Sequence, residues 1–206
     1  MSNSIKNILI AGVGGQGSIT MSRILATAAH LAGYDVKVGE LYGAAQRGGP
    51  VTSHVRIGKK VYTPMIPKHE ADIVISLELN EALRAIDYMN PETLVIINDY
   101  VLYPPSVLSG AAKYPSKEEI LNTISKITDR VYLLPAATYA IQQLKNVVLA
   151  NTILLGVLVT LWDLNIKEEH LIKAIEFVVE RKYIDVNKKA VEIGKQLAQA
   201  IITKTR

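Results

Sequence analysis

The apolar positions fall into short runs over the first two thirds of the chain and into helical periods over the last third. Residues 5–11, Ile-Lys-Asn-Ile-Leu-Ile-Ala, read as a first buried strand. After a glycine-rich turn the spacing changes. Met21, Ile24, Leu25, Ala28 and Leu31 recur at intervals of three and four, which places them on one face of a helix over residues 18–31. Gly33 stands where a helix commonly ends on a left-handed glycine, and residues 35–38 read as a second strand. A strand–helix–strand opening predicts a parallel sheet with a right-handed crossover. Residues 51–57 alternate as a strand. Gly58-Lys59-Lys60 is placed to turn it back into residues 61–63 as a short hairpin, which would make the sheet mixed. Further strands are predicted at 71–77, 93–97 and 130–134. Helices are predicted at 80–89 and 116–127, the second opened by a capping box of Ser116 and Glu119. Residues 100–114, with Pro104 and Pro105, show no period. Beyond residue 135 the pattern is helical, over 136–145, 147–162, 166–182 and 186–203, with Asn165 and Glu168 as another capping pair. The expected class is α/β: a three-layer α/β/α fold on a Rossmann-like sheet, mostly parallel or, with the hairpin, mixed, and with a helical last third. No linker or repeat demands a second domain, so residues 1–206 read as one unit in which about 160–206 form a helical extension.

Residues 147–162 are the longest apolar stretch. Interrupted by Asn151, Thr152 and Thr160, they fall short of the ~20 residues of a membrane-spanning helix. They read as a core helix, with a subunit interface as the alternative. The first residues are polar and lack a secretory core. The cytoplasm is the expected compartment, without membrane contact. The chain has no cysteine, which excludes disulfides, a thiolate-held iron–sulfur cluster and a cysteine nucleophile on this chain. His30, His54, His69 and His170 show no metal-ligand spacing, so no metal site is expected. A net charge of +4, spread without an arginine run, argues against nucleic acid and is compatible with a small anionic ligand.

The candidate chemistry lies in two glycine-rich segments. Gly12-Val-Gly14-Gly15-Gln16-Gly17 follows a strand and precedes a helix, the context in which glycines let a phosphate approach free helix amides. Glu40, at the end of the second strand, stands about where an acid would meet a ribose. Alone, this reads as a stand-alone NAD(P)-dependent Rossmann oxidoreductase or a non-catalytic nucleotide-binding module, yet no other residues form a hydride-transfer site. The competing explanation is that the glycines, Gly17 above all, only allow close packing. The second segment places Arg47 beside Gly48 and Gly49 in a loop suited to gripping a phosphate or carboxylate. Glu78, Asn80, Asn98 and Asp99 follow strands at the same sheet edge, with Asn80 and Asp99 reading first as helix N-caps. His54 and Arg56 alternate on one strand face, His54 as a hydrogen-bonded structural residue in preference to a catalytic one.

Taken together, GxGGQG at 12–17, Ser22-Arg-Ile-Leu-Ala26, Ala45-Gln-Arg-Gly-Gly49, Ser53-His-Val-Arg-Ile57, Ala71-Asp72, Glu78, Glu81-Ala-Leu83, Pro135-Ala136 and Asn151-Thr-Ile-Leu-Leu-Gly156 resemble the gamma-type subunit of 2-oxoacid:ferredoxin oxidoreductases, in the branch of the indolepyruvate:ferredoxin oxidoreductase beta subunit. The resemblance spans about residues 5–160. Ala44 and Pro50 depart from that branch and leave the particular 2-oxo acid open. The resemblance implies a complex that decarboxylates a 2-oxo acid oxidatively to an acyl-CoA and reduces ferredoxin. Thiamine diphosphate and iron–sulfur clusters would lie on larger partner subunits, and the present chain would be inactive alone, with no catalytic residue of its own. It would contribute assembly and, through Gly12, Gly14, Gly15, Gln16, Gly17, Glu40, Arg47, Gly48 and Gly49, a site for coenzyme A.

Overall fold

The structure is a computed structural model that describes residues 5–43, 48–162 and 164–204. Arg47, with Ala44, Ala45 and Gln46, lies outside them. Six strands form one sheet in the order β2-β3-β1-β4-β5-β6. The central strand β1 (Lys6–Val13) is buried from residue 7 to its end, as expected of a strand covered on both faces. The same holds for β4 (Ile73–Ser76) and β5 (Leu94–Asn98). β1 pairs in parallel with β4, β4 with β5, and β5 with β6 (Val131–Leu134). Alternate side chains divide between two cores: Ile8, Ile10, Ile73, Ile75 and Ile96 face one helix layer, and Leu9, Ala11, Val74, Val95 and Ile97 the other. This is the predicted three-layer arrangement.

The sheet is mixed, but not through the expected hairpin. β2 (Asp35–Tyr42) is four residues longer than the pattern suggested, and β3 (Pro50–Gly58) pairs antiparallel with both β2 and β1. The hairpin is therefore β2–β3, and the segment holding Gly43, Gly48 and Gly49 joins its two strands. Residues 61–63 form no strand. The Val61 N–H donates to Asp35 Oδ2 at 2.8 Å, and the chain then crosses the sheet, with Arg56 Nη1 reaching the Thr63 and Met65 carbonyls.

Helix α1 (Ser18–Leu31) buries Met21, Ile24, Leu25 and Ala28 against the sheet, as its period requires. Leu31, 37% exposed, lies off that face. Gly33 follows with φ of +89°. On the other face, α2 (Leu79–Arg84) stops at Ala85 and a 3-10 turn, Ile86–Tyr88, replaces the rest of the single helix expected to residue 89. A short α3 (Pro105–Leu108) occupies the unreadable segment. α4 (Lys117–Ile124) carries the predicted capping box: Glu119 N–H donates to Ser116 Oγ (3.1 Å) and Ser116 N–H to Glu119 Oε2 (2.7 Å). α5 (Ala136–Leu144) leads through a 3-10 turn, Val147–Leu149, to α6 (Ala150–Leu161).

Residues 150–158 of α6 are all buried, so the apolar stretch is core. α7 (Glu168–Val178) packs on α1, and α8 (Ile184–Lys204) packs on α6. Glycines bring α6 and α8 together: a β-carbon on Gly194 would lie 2.1 Å from the Ile153 carbonyl oxygen. α7 is capped differently from expectation. His170 Nδ1 accepts from the Lys167 N–H (3.1 Å), while Asn165, at φ +52°, lies two residues upstream. No helix among the described residues is long and apolar enough to cross a membrane.

Candidate functional site

The ends of β1, β2, β4, β5 and β6 and the start of β3 all fall on one edge of the sheet, the edge where open α/β sheets bind ligands. There the two glycine segments interlock. The Gly14 N–H donates to the Gly49 carbonyl (2.8 Å), and the Gly48 N–H to the Gly14 carbonyl (3.4 Å), extending the β1–β3 ladder by a step. These backbone groups are spent on each other. Gln16 folds under the loop, its Oε1 accepting from the Val13 N–H (2.8 Å) and its Nε2 donating to the Leu77 carbonyl (3.3 Å). Gly12 leaves room for that amide, since a β-carbon there would lie 3.1 Å from Gln16 Oε1.

Gly15 and Gly17 have different reasons to be glycine. Both have positive φ, +101° and +81°, which disfavours other residues. A β-carbon on Gly15 would meet nothing within 4 Å, whereas one on Gly17 would overlap the Asn151 side-chain amide. Gly17 is thus partly a packing glycine, against α6 and not against the sheet. Gly15 faces open space.

Two clefts share Gly14 and Gly15. The larger, about 500 Å³, is bordered by Gly17, Ser18, Ile19, Tyr42 and Val51 and holds the start of α1. That helix has no acidic residue in its first turn and no side-chain cap, so neither offsets its positive end. The smaller, about 220 Å³, lies between the loop and α6, walled by Leu77, Tyr100, Leu102 and Val148. Its polar side chains are engaged with backbone: Asn98 Nδ2 donates to the Leu77 carbonyl and its Oδ1 accepts from the Ala137 N–H, and Asn151 Nδ2 donates to the Gln16 and Gly17 carbonyls. Tyr100 and Asn151 line this cleft although neither is among the site residues expected from sequence. The visible signal for Asn151 was a polar pair, Asn151-Thr152, at the head of an otherwise apolar helix.

Glu40 is half-buried on β2, with Oε1 3.3 Å from the Ser22 hydroxyl. Because β3 lies between β1 and β2, Glu40 is not on the strand next to the glycine loop, where a dinucleotide fold places its ribose-binding acid.

A third cavity, about 290 Å³, lies behind the hairpin start and contains a carboxylate pair. Glu78, not Asn80, caps α2: its Oε2 accepts from the Glu81 N–H (3.1 Å). Its Oε1 accepts from the Leu102 N–H (3.1 Å) and from the Tyr114 hydroxyl, in a short contact. Asn80 gives its backbone N–H to the same hydroxyl, and Asp99 pairs with Lys117 (2.7 Å) instead of capping a helix. Burial pushes the Glu81 carboxyl up to about 7, opposed by the Arg84 guanidinium and assisted by the charge of Glu78. Burial and Glu78 raise the Tyr114 phenol.

His54 is fully buried. Its Nδ1 accepts from the Ile66 N–H (3.2 Å), its ring meets Tyr88 edge-on, and burial lowers its pKa, so it stands neutral as a tie for the crossing segment. Among the described residues no group of histidines and carboxylates is arranged to hold a metal ion.

A sheet of this order, with interlocked glycine loops at its carboxyl edge, defines an α/β class of Rossmann-like build in which an antiparallel strand separates the first two parallel ones. Its closer placement comes from known proteins. The chain belongs to the pyruvate ferredoxin/flavodoxin oxidoreductase family, which it matches over residues 7–197, and its type is a subunit of a 2-oxoacid:ferredoxin oxidoreductase. It is 43% identical over 188 residues to the indolepyruvate oxidoreductase subunit IorB of Archaeoglobus fulgidus, covering 91% of this chain and 92% of that one. Two solved structures share its fold at 21% identity. One is the gamma subunit of a keto/oxoacid ferredoxin oxidoreductase from Geobacter sulfurreducens, with a TM-score of 0.69 over 95% of this chain and 99% of that one. The other is the 2-oxoglutarate:ferredoxin oxidoreductase of Magnetococcus marinus with 2-oxoglutarate, coenzyme A and succinyl-CoA bound, with a TM-score of 0.72 over 97% of this chain and 32% of that one.

Proposed function

We propose that this chain is the small subunit of an oxidoreductase acting on indolepyruvate or a related aryl or branched 2-oxo acid, and that its interlocked glycine loops hold coenzyme A. The observation that carries the reading is the open end of α1. A helix start without a first-turn acid or a side-chain cap faces a cleft of about 500 Å³, beside a glycine with free space around it. This suits a phosphate-bearing ligand. Gly15, Gly17 and Ser18 would offer backbone amides, and Arg47, in the segment between β2 and β3, a guanidinium. Gly14, Gly48 and Gly49 would keep the two loops together, and Gln16 would brace them from below. The smaller apolar cleft alongside would take an uncharged part of the same ligand.

In this reading thiamine diphosphate, on a larger partner subunit, supplies the carbanion chemistry. Iron–sulfur clusters on partner subunits pass electrons to ferredoxin, because a chain without cysteine offers no thiolate ligands. Its own part is to bind and orient coenzyme A and to wall the site. Co-purification from native cells is expected to bring down a cysteine-rich, thiamine-dependent chain. Titration of the assembled complex with coenzyme A should show about tenfold weaker binding for Arg47→Ala, the loss of one charge-assisted contact. Unchanged affinity would overturn the assignment of the loop.

A further inference from the structure

Three buried polar side chains, Asn151, Thr152 and Asn187, lie on buried helix faces that are otherwise apolar. Buried amides and hydroxyls are costly unless paired, and packing alone would be met by aliphatic side chains. Their partners give the reason for them. Asn151 Nδ2 lies 3.4 Å from the Gln16 carbonyl oxygen and 3.2 Å from that of Gly17. Asn151 Oδ1 is 2.9 Å from the Thr152 hydroxyl, which is 2.7 Å from Asn187 Oδ1, and Asn187 Nδ2 donates to the Tyr183 carbonyl at 2.9 Å. The chain of contacts runs from the glycine loop, across the head of α6, to the start of α8.

We infer that Asn151 is the positioning residue of the glycine loop, turning the Gly17 amide toward the cleft in which the ligand binds and bracing the Gly17 carbonyl at the start of α1. The geometry follows from the trans peptide. In each planar unit the C=O and N–H point in opposite directions. The Gln16 carbonyl belongs to the unit that carries the Gly17 N–H, and the Gly17 carbonyl to the unit that carries the Ser18 N–H. The Gly17 carbonyl also accepts the first helical bond, from the Met21 N–H at 2.9 Å, so α1 itself sets the Ser18 unit. Drawing the Gln16 carbonyl to the amide on α6 aims the Gly17 N–H away from α6, on the side of the cleft lined by Gly15, Gly17, Ser18 and Ile19. Gly17 permits this because it has no β-carbon where the Asn151 amide sits. The Thr152 hydroxyl lies between the Asn151 and Asn187 oxygens and gives its one proton to either of them. When it donates to Asn151 Oδ1 it holds that rotamer, and when it donates to Asn187 Oδ1 it ties the head of α6 to the start of α8.

The ligand consequence rests on the coenzyme A reading, so the test has two readouts on the assembled complex. Asn151→Asp keeps the size of the side chain but presents no donor to the two carbonyls, and Asn151→Leu removes the donor without charge. Amide exchange over residues 12–21, where the Val13, Gly14, Gln16 and Met21 N–H groups are bonded, should quicken by about tenfold, the equivalent of ~1.4 kcal/mol. KM for coenzyme A should rise by a similar factor with kcat nearly unchanged, a split that general loss of folding would not produce. Thr152→Val, which keeps the donor and loosens its rotamer, should show about threefold in both readouts and serves if the Asn151 variants fail to assemble. Unchanged exchange over 12–21 in a folded variant overturns the positioning role. Faster exchange with an unchanged KM upholds that role and overturns the loop as the coenzyme A site.

Discussion

The contact between α6 and α8 gives a prediction whose size can be worked from the backbone. Gly194 sits on α8 where a β-carbon would lie 2.1 Å from the Ile153 carbonyl oxygen and 2.9 Å from both Gly156 Cα and Val157 N. All three atoms are backbone, so no side chain can swing away. Restoring van der Waals distance requires α8 to move out by roughly 1 Å, which loosens Ala190, Val191 and Ala198 against α6. Overpacking of this kind costs ~1–3 kcal/mol, and a clash with rigid backbone belongs near the top of that range. Alanine recovers up to ~1 kcal/mol of helix propensity. The net for Gly194→Ala is a loss of about 2 kcal/mol, or a fall in Tm of ~4–8 °C for a chain of this size. Scanning calorimetry or far-UV circular dichroism on the purified chain would read it. Gly43→Ala is the control: nothing lies within 4 Å of its β-carbon position and its φ is not in the left-handed region, so its Tm should hold or rise slightly. Gly156→Ala, which would press on the Val191 carbonyl, should act in the same sense. The double variant should cost less than the sum, because one outward shift relieves both clashes. A higher Tm for Gly194→Ala, the outcome that propensity alone demands, would refute the reasoning.

Two further predictions concern buried titratable groups. The Glu81 carboxyl, ordinarily near 4.5, is raised to about 7 in the fold. Between those values the folded chain keeps a proton that the unfolded chain has lost, so this residue's contribution to stability falls as pH rises through the window and levels off above it. Glu81→Gln should therefore be near neutral at pH 4.5 and stabilising by ~1–2 kcal/mol at pH 8, after allowing for the lost Arg84 pair. Urea unfolding at the two pH values measures this, and an equal effect at both would contradict it. His54→Phe leaves the Ile66 N–H without its acceptor and should cost ~1–3 kcal/mol while turnover of the assembled complex stays within about twofold. A collapse of turnover in a folded variant would mean that His54 has a chemical role.

The parts of the fold that were legible are those whose local pattern and burial agree. α1 was readable because its inward face repeats at helical spacing, and β4 and β5 because burial on both faces makes continuous apolar runs. The outer half of β2 was missed for the opposite reason: Leu41 and Tyr42 lie on an edge strand and are exposed, so no apolar alternation marks them. That omission misdirected the hairpin to Gly58-Lys59-Lys60. The segment from 100 to 114 is organised by Glu78, which binds Leu102 and Tyr114 across 24 and 36 residues of sequence, a connection that no window can show. The glycine loop was legible as a motif. Its brace was not, since Asn151 meets Gly17 across 134 residues. A polar residue heading an apolar helix marked that a partner existed without saying which.

The insertion of β3 between β1 and β2 also bears on how the chain is made. β1 leaves the ribosome before both strands that flank it and is one of the most apolar, and those two hydrogen-bonding neighbours start only at Pro50 and Ile73. The intervening chain builds α1 and the outermost strand before returning to the centre. The β2–β3 hairpin, a local pairing, is favoured to form first by its short loop closure, and can then dock as a unit beside β1. Until it does, a buried-type strand waits without an edge partner. That interval is where nascent chains of this topology are most exposed to aggregation, and where a chaperone or an early-arriving partner subunit would have most effect.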